Sequence, residues 1–281
     1  MNDSLSLGDV EFRCLRDYIN ERFGLYLKDE KRSFIQRRLL PRLIANGVGS
    51  FKEYLDHLRH ESNGRNEIMP ILALLTNNET YFFREVPQLT AFKEHVLPQA
   101  ASEALSRQER SLRIVSAGCS TGEEAYSLAM LAYDIGTFFW GWDLKIIGLD
   151  ISAAALEMAR EATYYERSVR MMQPEQIERY LVRCNSTYKV KEIISRMASF
   201  RWGNIANDLT WKPMESLDAI FCRNVMIYFS ADKVEQTVMH MRNALRLGGY
   251  LFLGHSETLT GVSEDFELVR FKDTIGYRRK A

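Results

Sequence analysis

The sequence predicts an α/β protein in which a Rossmann-like domain follows an all-helical one. Three observations carry this. Residues 112–150 read strand, glycine-containing loop, helix, strand, and end on an acidic residue, the pattern of the first crossover of a Rossmann-like sheet. Residues up to about 75 show helical periodicity only. The chain has 281 residues, long enough for a full core in one large or two smaller domains. The expected boundaries are a helical domain over 1–75, a connecting and ligand-contacting segment over 76–95, and the sheet domain over 96–281.

In the helical domain, Val10, Cys14, Leu15, Tyr18 and Ile19 recur at helical spacing, and Gly24 is a suitable stop. Ile35, Leu39 and Leu43 fall four apart in the next helix, which Pro41 is expected to bend or interrupt. Lys31, Arg38 and Arg42 line an adjacent stripe of that helix. The stripe is open to two readings, a solvated face or a docking face for an acidic protein surface. Phe51, Tyr54, Leu55 and Leu58 predict another helix, and residues 68–75 a further one. The stretch Asn78-Glu-Thr-Tyr-Phe-Phe-Arg84 then sets polar residues directly against aromatics, as domain glue or as the lip of a ligand cleft.

The loop Ala117-Gly118-Cys119-Ser120-Thr121-Gly122 lacks the third glycine of a dinucleotide fingerprint, and Glu123 and Glu124 stand where a pyrophosphate would sit. Carboxylates there repel phosphate and attract an ammonium or sulfonium. That favours S-adenosylmethionine over a nicotinamide cofactor. Asp150, ending the second strand, suits paired ribose hydroxyls, or alternatively caps a helix beginning near Ser152.

Helices are expected over 153–162 and 173–182, the latter opened by Pro174, and strands over 188–194 and 199–204. Residues 217–224 read as a buried strand that brings Asn224 to the carboxyl edge of the sheet, where α/β proteins bind ligands. Tyr228 follows, as a core aromatic or a site residue. A helix over 232–245, a turn at Gly248-Gly249, a strand over 250–253 and final strands over 266–277 complete the pattern. His255 reads as a loop residue, since neither a nucleophile triad nor metal-ligand spacing accompanies it.

Composition narrows the function classes. Lys and Arg total 37 and Asp and Glu total 37, so overall charge gives no reason to expect nucleic acid. The four cysteines, Cys14, Cys119, Cys184 and Cys222, are scattered as in a reduced cytoplasmic protein, with neither disulfide nor zinc spacing. The start of the chain lacks signal-peptide character, and no apolar run is long enough to span a bilayer.

Four separated motifs then converge. Asn78-Glu-Thr-Tyr-Phe-Phe-Arg84, Ser120-Thr-Gly-Glu-Glu124, Asp150-Ile-Ser and Phe221-Cys-Arg-Asn-Val-Met-Ile-Tyr-Phe229 together resemble the CheR-type chemotaxis receptor methyltransferases, in family order and over nearly the whole chain. The resemblance implies a helical domain ahead of a Rossmann-like S-adenosylmethionine-dependent methyltransferase domain. It implies methyl transfer from S-adenosyl-L-methionine to glutamate carboxylates on the cytoplasmic methylation helices of chemoreceptors, with S-adenosyl-L-homocysteine as product. It also implies an antiparallel edge to the main sheet and a small antiparallel β subdomain, expected at about 186–202.

By motif, Asn78, Thr80 and Arg84 resemble the family's cofactor contacts, as do Gly118, Glu124, Asp150, Asn204, Ile205, Arg223 and Asn224. With the enzyme so read, Arg84 is the candidate to steer the substrate carboxylate and Tyr228 to orient it by one hydrogen bond. Lys31, Arg38 and Arg42 become candidates for docking the acidic receptor bundle. The region 184–194 is short and without glycine, which argues against gripping a receptor-tethered peptide. A cytoplasmic monomer without membrane insertion, metal or nucleic acid is expected. The alternatives are an S-adenosylmethionine-binding sensor and a methyltransferase acting on another substrate.

Overall fold

Apolar residues spaced three and four apart shape the first helices: α1 (Asp9–Phe23), α2 (Arg32–Ala45) and α3 (Phe51–Arg59). Their inward faces, including Phe12, Leu15 and Ile19, then Ile35, Leu39 and Leu43, then Phe51, Tyr54 and Leu58, are almost wholly buried. Gly24 ends α1 in the left-handed conformation, φ 76°, as its position predicts. Helix α2 runs through Pro41 without the interruption that was one of the two expected outcomes. Pro41 lies on the exposed face, where water can serve the carbonyl that its missing N–H leaves unpaired.

The computed structural model describes residues 6–60, 67, 70–72, 74–75, 79–135 and 141–280, and the expected helix over 68–75 is seen in the described part of that stretch. Two compact units result: residues 1–78 with 228–233, and residues 79–227 with 234–281. Within the first, the Tyr26 N–H donates to the Tyr228 carbonyl at 2.6 Å, and Leu25 bridges Phe229.

The second unit opens with α4 (Val86–Ala91), which passes through a π-helical turn at Phe92–Val96 into α5 (Leu97–Ser106). The main chain then enters β1 (Ser111–Ala117), α6 (Glu123–Asp134), β2 (Asp143–Asp150) and α7 (Ala153–Glu161), the crossover that the sequence predicts. Next come β3 (Thr163–Tyr165), α8 (Glu166–Val169), α9 (Pro174–Tyr180), β4 (Leu181–Cys184), β5 (Thr187–Val190), α10 (Glu192–Ser195) and β6 (Ala198–Trp202). The chain closes with α11 (Asp208–Trp211), β7 (Leu217–Cys222), α12 (Ala231–Ala244), β8 (Leu245–Leu253), β9 (Phe266–Arg270) and β10 (Ile275–Arg279).

The large sheet has the order β6-β2-β1-β7-β8-β10-β9. Its first five strands are parallel, and β10 and β9 add an antiparallel edge. Strand β7 is buried at every residue, as suits a central parallel strand covered on both faces. The turn expected at Gly248-Gly249 is a bulge within β8: three positions of β7, from Leu217 to Ala219, oppose the stretch from Leu245 to Tyr250.

Three expected elements lie elsewhere in the structure. The helix expected over 173–182 ends at Tyr180, because Leu181 begins a strand, and the strand expected over 188–194 gives way to α10. The small antiparallel sheet exists, in the order β3-β5-β4, but it is drawn from 163–190 rather than 186–202. Ala198–Trp202 instead pairs in parallel with β2 and forms an edge of the main sheet. The hairpin of β4 and β5 turns on Asn185 and Ser186 alone, and Asn185 supplies the positive φ (53°) that glycine usually provides.

Candidate active site

From β1 the strand order runs outward in both directions, through β2 to β6 and through β7 to β8, which makes the carboxyl edge around β1 and β7 a topological switch point. The loops after β1, β2, β6 and β7 all lead from this edge. Four of the eight non-glycine residues with positive φ among the described residues lie by this edge: Phe83, Glu85, Ser120 and Asn224, at 57°, 60°, 50° and 61°. Such conformations cost about 1–3 kcal/mol each and persist where the surrounding structure holds them. Gly118, at φ 81°, brings the β1 loop so close to the β7 loop that a Cβ would lie 2.4 Å from a Val225 methyl.

Asp150 holds the ends of two loops. Its Oδ2 accepts from the Ser120 N–H at 2.7 Å and its Oδ1 from the Ser152 N–H at 2.8 Å. Ser152 is itself the cap of α7, accepting from Ala155 N–H, so Asp150 braces the capping residue rather than capping the helix. With backbone donors at Ser120, Ser152 and Ile151, the carboxylate still retains acceptor capacity for a ligand hydroxyl. Burial pushes the Asp150 carboxyl above the usual range, against the pull of its backbone donors.

Glu124 and Arg223, expected as separate contacts, form one buried pair. Arg223 Nε donates to Glu124 Oε2 at 2.6 Å, and Ser116 Oγ donates to Glu124 Oε1 at 2.6 Å. Arg223 Nη1 also donates to the Arg84 carbonyl at 2.9 Å and lies 3.5 Å from Glu85 Oε2. Two carboxylates therefore share one guanidinium whose side chain is 2% exposed, which leaves a net negative charge suited to a cationic ligand. Glu123, one helical position away, turns inward instead: Thr121 and Ser168 hydroxyls donate to its carboxylate, and burial raises its carboxyl. The attraction to a cation expected of both glutamates thus rests on Glu124.

The remaining expected residues occupy varied positions. The Arg84 guanidinium points to the surface, where Nη1 donates to the Glu79 carbonyl at 3.0 Å, and Thr80, four residues earlier, is half-buried. Asn204 and Ile205 are fixed in a tight loop: Asn204 Oδ1 accepts from Ala206 N–H at 3.0 Å, and Trp211 Nε1 donates to the Ile205 carbonyl at 2.8 Å. Tyr228 belongs to the first unit, and Asn78 lies outside the described residues. In that first unit Lys31 is exposed and Arg38 stacks over Phe34 at 4.8 Å. Arg42 grips the buried Glu67 through two hydrogen bonds of 2.7 and 2.6 Å, a structural tie within the first unit.

Two residues that sequence reasoning missed organise the edge. The Glu257 carboxylate accepts from four backbone N–H groups, those of Gly254, Asn224, Val225 and Ile227, at 2.8–3.2 Å. Gln88 Nε2 donates to the Leu253 carbonyl at 2.7 Å, tying α4 to β8. The polar run Gly254-His-Ser-Glu257 directly after a buried strand was the one available signal for Glu257.

A nucleoside bearing an amino-acid end fits these groups. Ser120 Oγ and Asn224 Oδ1 are buried without a hydrogen-bond partner, so each can serve a polar ligand. Asp150 retains acceptors for a ribose, and the Glu124–Arg223 pair offers charge to an ammonium.

Two family models match the chain, one described as CheR methyltransferase, all-alpha domain, over residues 10–76, and one as CheR methyltransferase, SAM binding domain, over residues 78–275. Chemotaxis protein methyltransferase 2 of Vibrio cholerae serotype O1 is 33% identical over 278 residues, which cover 99% of this chain and 95% of that protein. The chemotaxis protein methyltransferase of Escherichia coli K12 is 35% identical over 274 residues, covering 95% and 91%. Glu124, Asp150, Arg223 and Glu257 all fall within the second model's span.

Proposed function

The chain belongs to the CheR methyltransferase family, and from that premise we propose that it transfers a methyl group to glutamate side-chain carboxylates of chemoreceptors, giving glutamate methyl esters. It is an S-adenosylmethionine-dependent methyltransferase. The observation that carries the proposal within the molecule is the anionic, strained carboxyl edge, where Glu124 and Glu85 share Arg223 and Asp150 spans the β1 and β2 loops.

When bound, S-adenosylmethionine supplies a methyl carbon on a sulfonium, open to in-line attack by a carboxylate that is already ionised at neutral pH. In this reading Asp150 accepts the ribose hydroxyls, Asn204 and Ile205 border the base, and Glu124 attracts the ammonium while Arg223 keeps it in place. Arg84 steers the incoming glutamate, since a guanidinium binds a carboxylate through two hydrogen bonds. No acid or base is required, so alignment and exclusion of water are the protein's contribution. Lys31 and Arg38, with the exposed Phe34 over which Arg38 stacks, form the basic stripe that engages the acidic receptor helix. Arg42 is left out of that stripe because Glu67 engages it.

Calorimetric titration with S-adenosylmethionine and S-adenosylhomocysteine tests the site. Both are expected to bind the unaltered chain, and Glu124→Gln to weaken both. Failure of either to bind the unaltered chain would overturn the assignment.

A further inference from the structure

Residues 79–85 form a platform pinned to the body of the second unit. The Phe82 N–H donates to the Ser168 carbonyl at 2.9 Å, and the Phe83 N–H to Ser127 Oγ at 3.0 Å. The Phe82 ring is fully buried, edge-on to Tyr164 with centroids 4.8 Å apart. With its neighbours so anchored, Tyr81 is held half-exposed, and two guanidinium groups lie against its ring: Arg170 at 4.3 Å from the centroid and Arg84 at 5.9 Å. Arg84 spans the boundary of the site, with its carbonyl bonded to Arg223 inside and its guanidinium beside Tyr81 outside.

Glu79 already engages both guanidiniums, Arg170 through its carboxylate and Arg84 through its backbone carbonyl. Glu79 Oε1 accepts from Arg170 Nη2 at 2.8 Å, and the Glu79 carbonyl accepts from Arg84 Nη1 at 3.0 Å. The Arg170 and Glu79 side chains are 44% and 60% exposed, so their ion pair is weakly held and open to exchange.

We propose that Arg170 is a specificity residue that binds a second carboxylate of the substrate segment, beside the one steered by Arg84, and that Glu79 is the resident carboxylate which the substrate displaces. The inference rests on the reading above, that the substrate is a glutamate on a receptor helix. Side chains three or four apart on one helix have Cβ atoms roughly 5–6 Å apart, so two acidic residues at that spacing can reach two guanidiniums that share one tyrosine ring. A single isolated glutamate would leave Arg170 on Glu79.

The test compares two variants that break the same ion pair, using base-labile methyl incorporation into membranes that carry the organism's own chemoreceptors. Arg170→Ala is expected to raise KM for receptor by about tenfold with kcat and cofactor affinity unchanged, as for loss of a charge-assisted hydrogen bond. Arg170→Lys should recover part of that loss. Glu79→Gln is expected to lower KM by about threefold, because it removes the weakly held competitor. A purely structural ion pair would shift both variants the same way, and parallel shifts, or no shift in either, overturn the inference alone. Absence of base-labile label with the unaltered chain overturns both the inference and the reading on which it stands.

Discussion

Asp150 spans the loops after β1 and β2 while keeping acceptor capacity for a ligand, so its charge state should govern cofactor affinity. Burial, opposed by the Ser152 and Ser120 amides, sets its carboxyl above the ordinary range. Protonation on acidification therefore begins at a higher pH than for an exposed aspartate. Affinity for S-adenosylmethionine is expected to decline on acidification at a higher pH than an exposed aspartate would dictate, and Asp150→Asn to flatten that profile in calorimetry. The same variant should weaken binding by about 1.5–3 kcal/mol, the worth of hydrogen bonds to a charged group. Glu257 poses a different test, because it touches backbone only. Glu257→Ala leaves four amides around Asn224 without their acceptor, and it should lower stability by about 2–4 kcal/mol in denaturant titration while also weakening cofactor binding. The placement of Glu124 in the first turn of α6, and of Asp150 and Asn224 at or just beyond the carboxyl ends of β2 and β7, was legible in the sequence, because loops at strand ends follow local rules. The partnership of Glu124 with Arg223, 99 residues apart, was not, since only the strand order brings β1 beside β7.

Helix α2 joins a buried face to an exposed one, and its arginines divide accordingly. Arg42 and the Tyr54 hydroxyl both donate to Glu67, so α2, α3 and the Glu67 segment share one carboxylate. Burial alone would raise the Glu67 carboxyl, but hydrogen bonds from Arg42, Tyr54 and Asn46 outweigh it and hold it below the usual range. A folded value below the unfolded one means that this stabilisation is present above about pH 4.3 and is lost as pH falls through the folded value. Arg42→Ala is expected to cost about 2–3 kcal/mol and to remove that acid transition, since it strands a buried charge. Thermal denaturation across pH reads both effects, and Arg38→Glu, on the exposed face, should leave them unchanged. The apolar periodicity that located α1, α2 and α3 was decisive because those helices bury one face each. It failed between 173 and 202, where short strands and single-turn helices alternate. Four-residue elements are too brief for a period to register, and pairing with distant strands decides them.

At the scale of the whole molecule, the chain carries equal numbers of basic and acidic residues, so steering toward an acidic partner depends on where the charges lie. Arg38→Glu is expected to slow receptor methylation at low salt by up to about tenfold, with the deficit narrowing as ionic strength rises. An unchanged rate at low salt would place docking on another face. The helical domain and the Rossmann-like crossover were both legible from periodicity, and the motifs gave the family before any contact was known. The bulge in β8 and the edge position of Ala198–Trp202 were not, because both are fixed by neighbours far away in sequence. The most direct test of the central claim is transfer of label from methyl-labelled S-adenosylmethionine to receptor-containing membranes, followed by mild base. Label on the receptor that base releases as methanol is the predicted result, the mark of a carboxyl methyl ester. Bound cofactor with no such label on the receptor would contradict it.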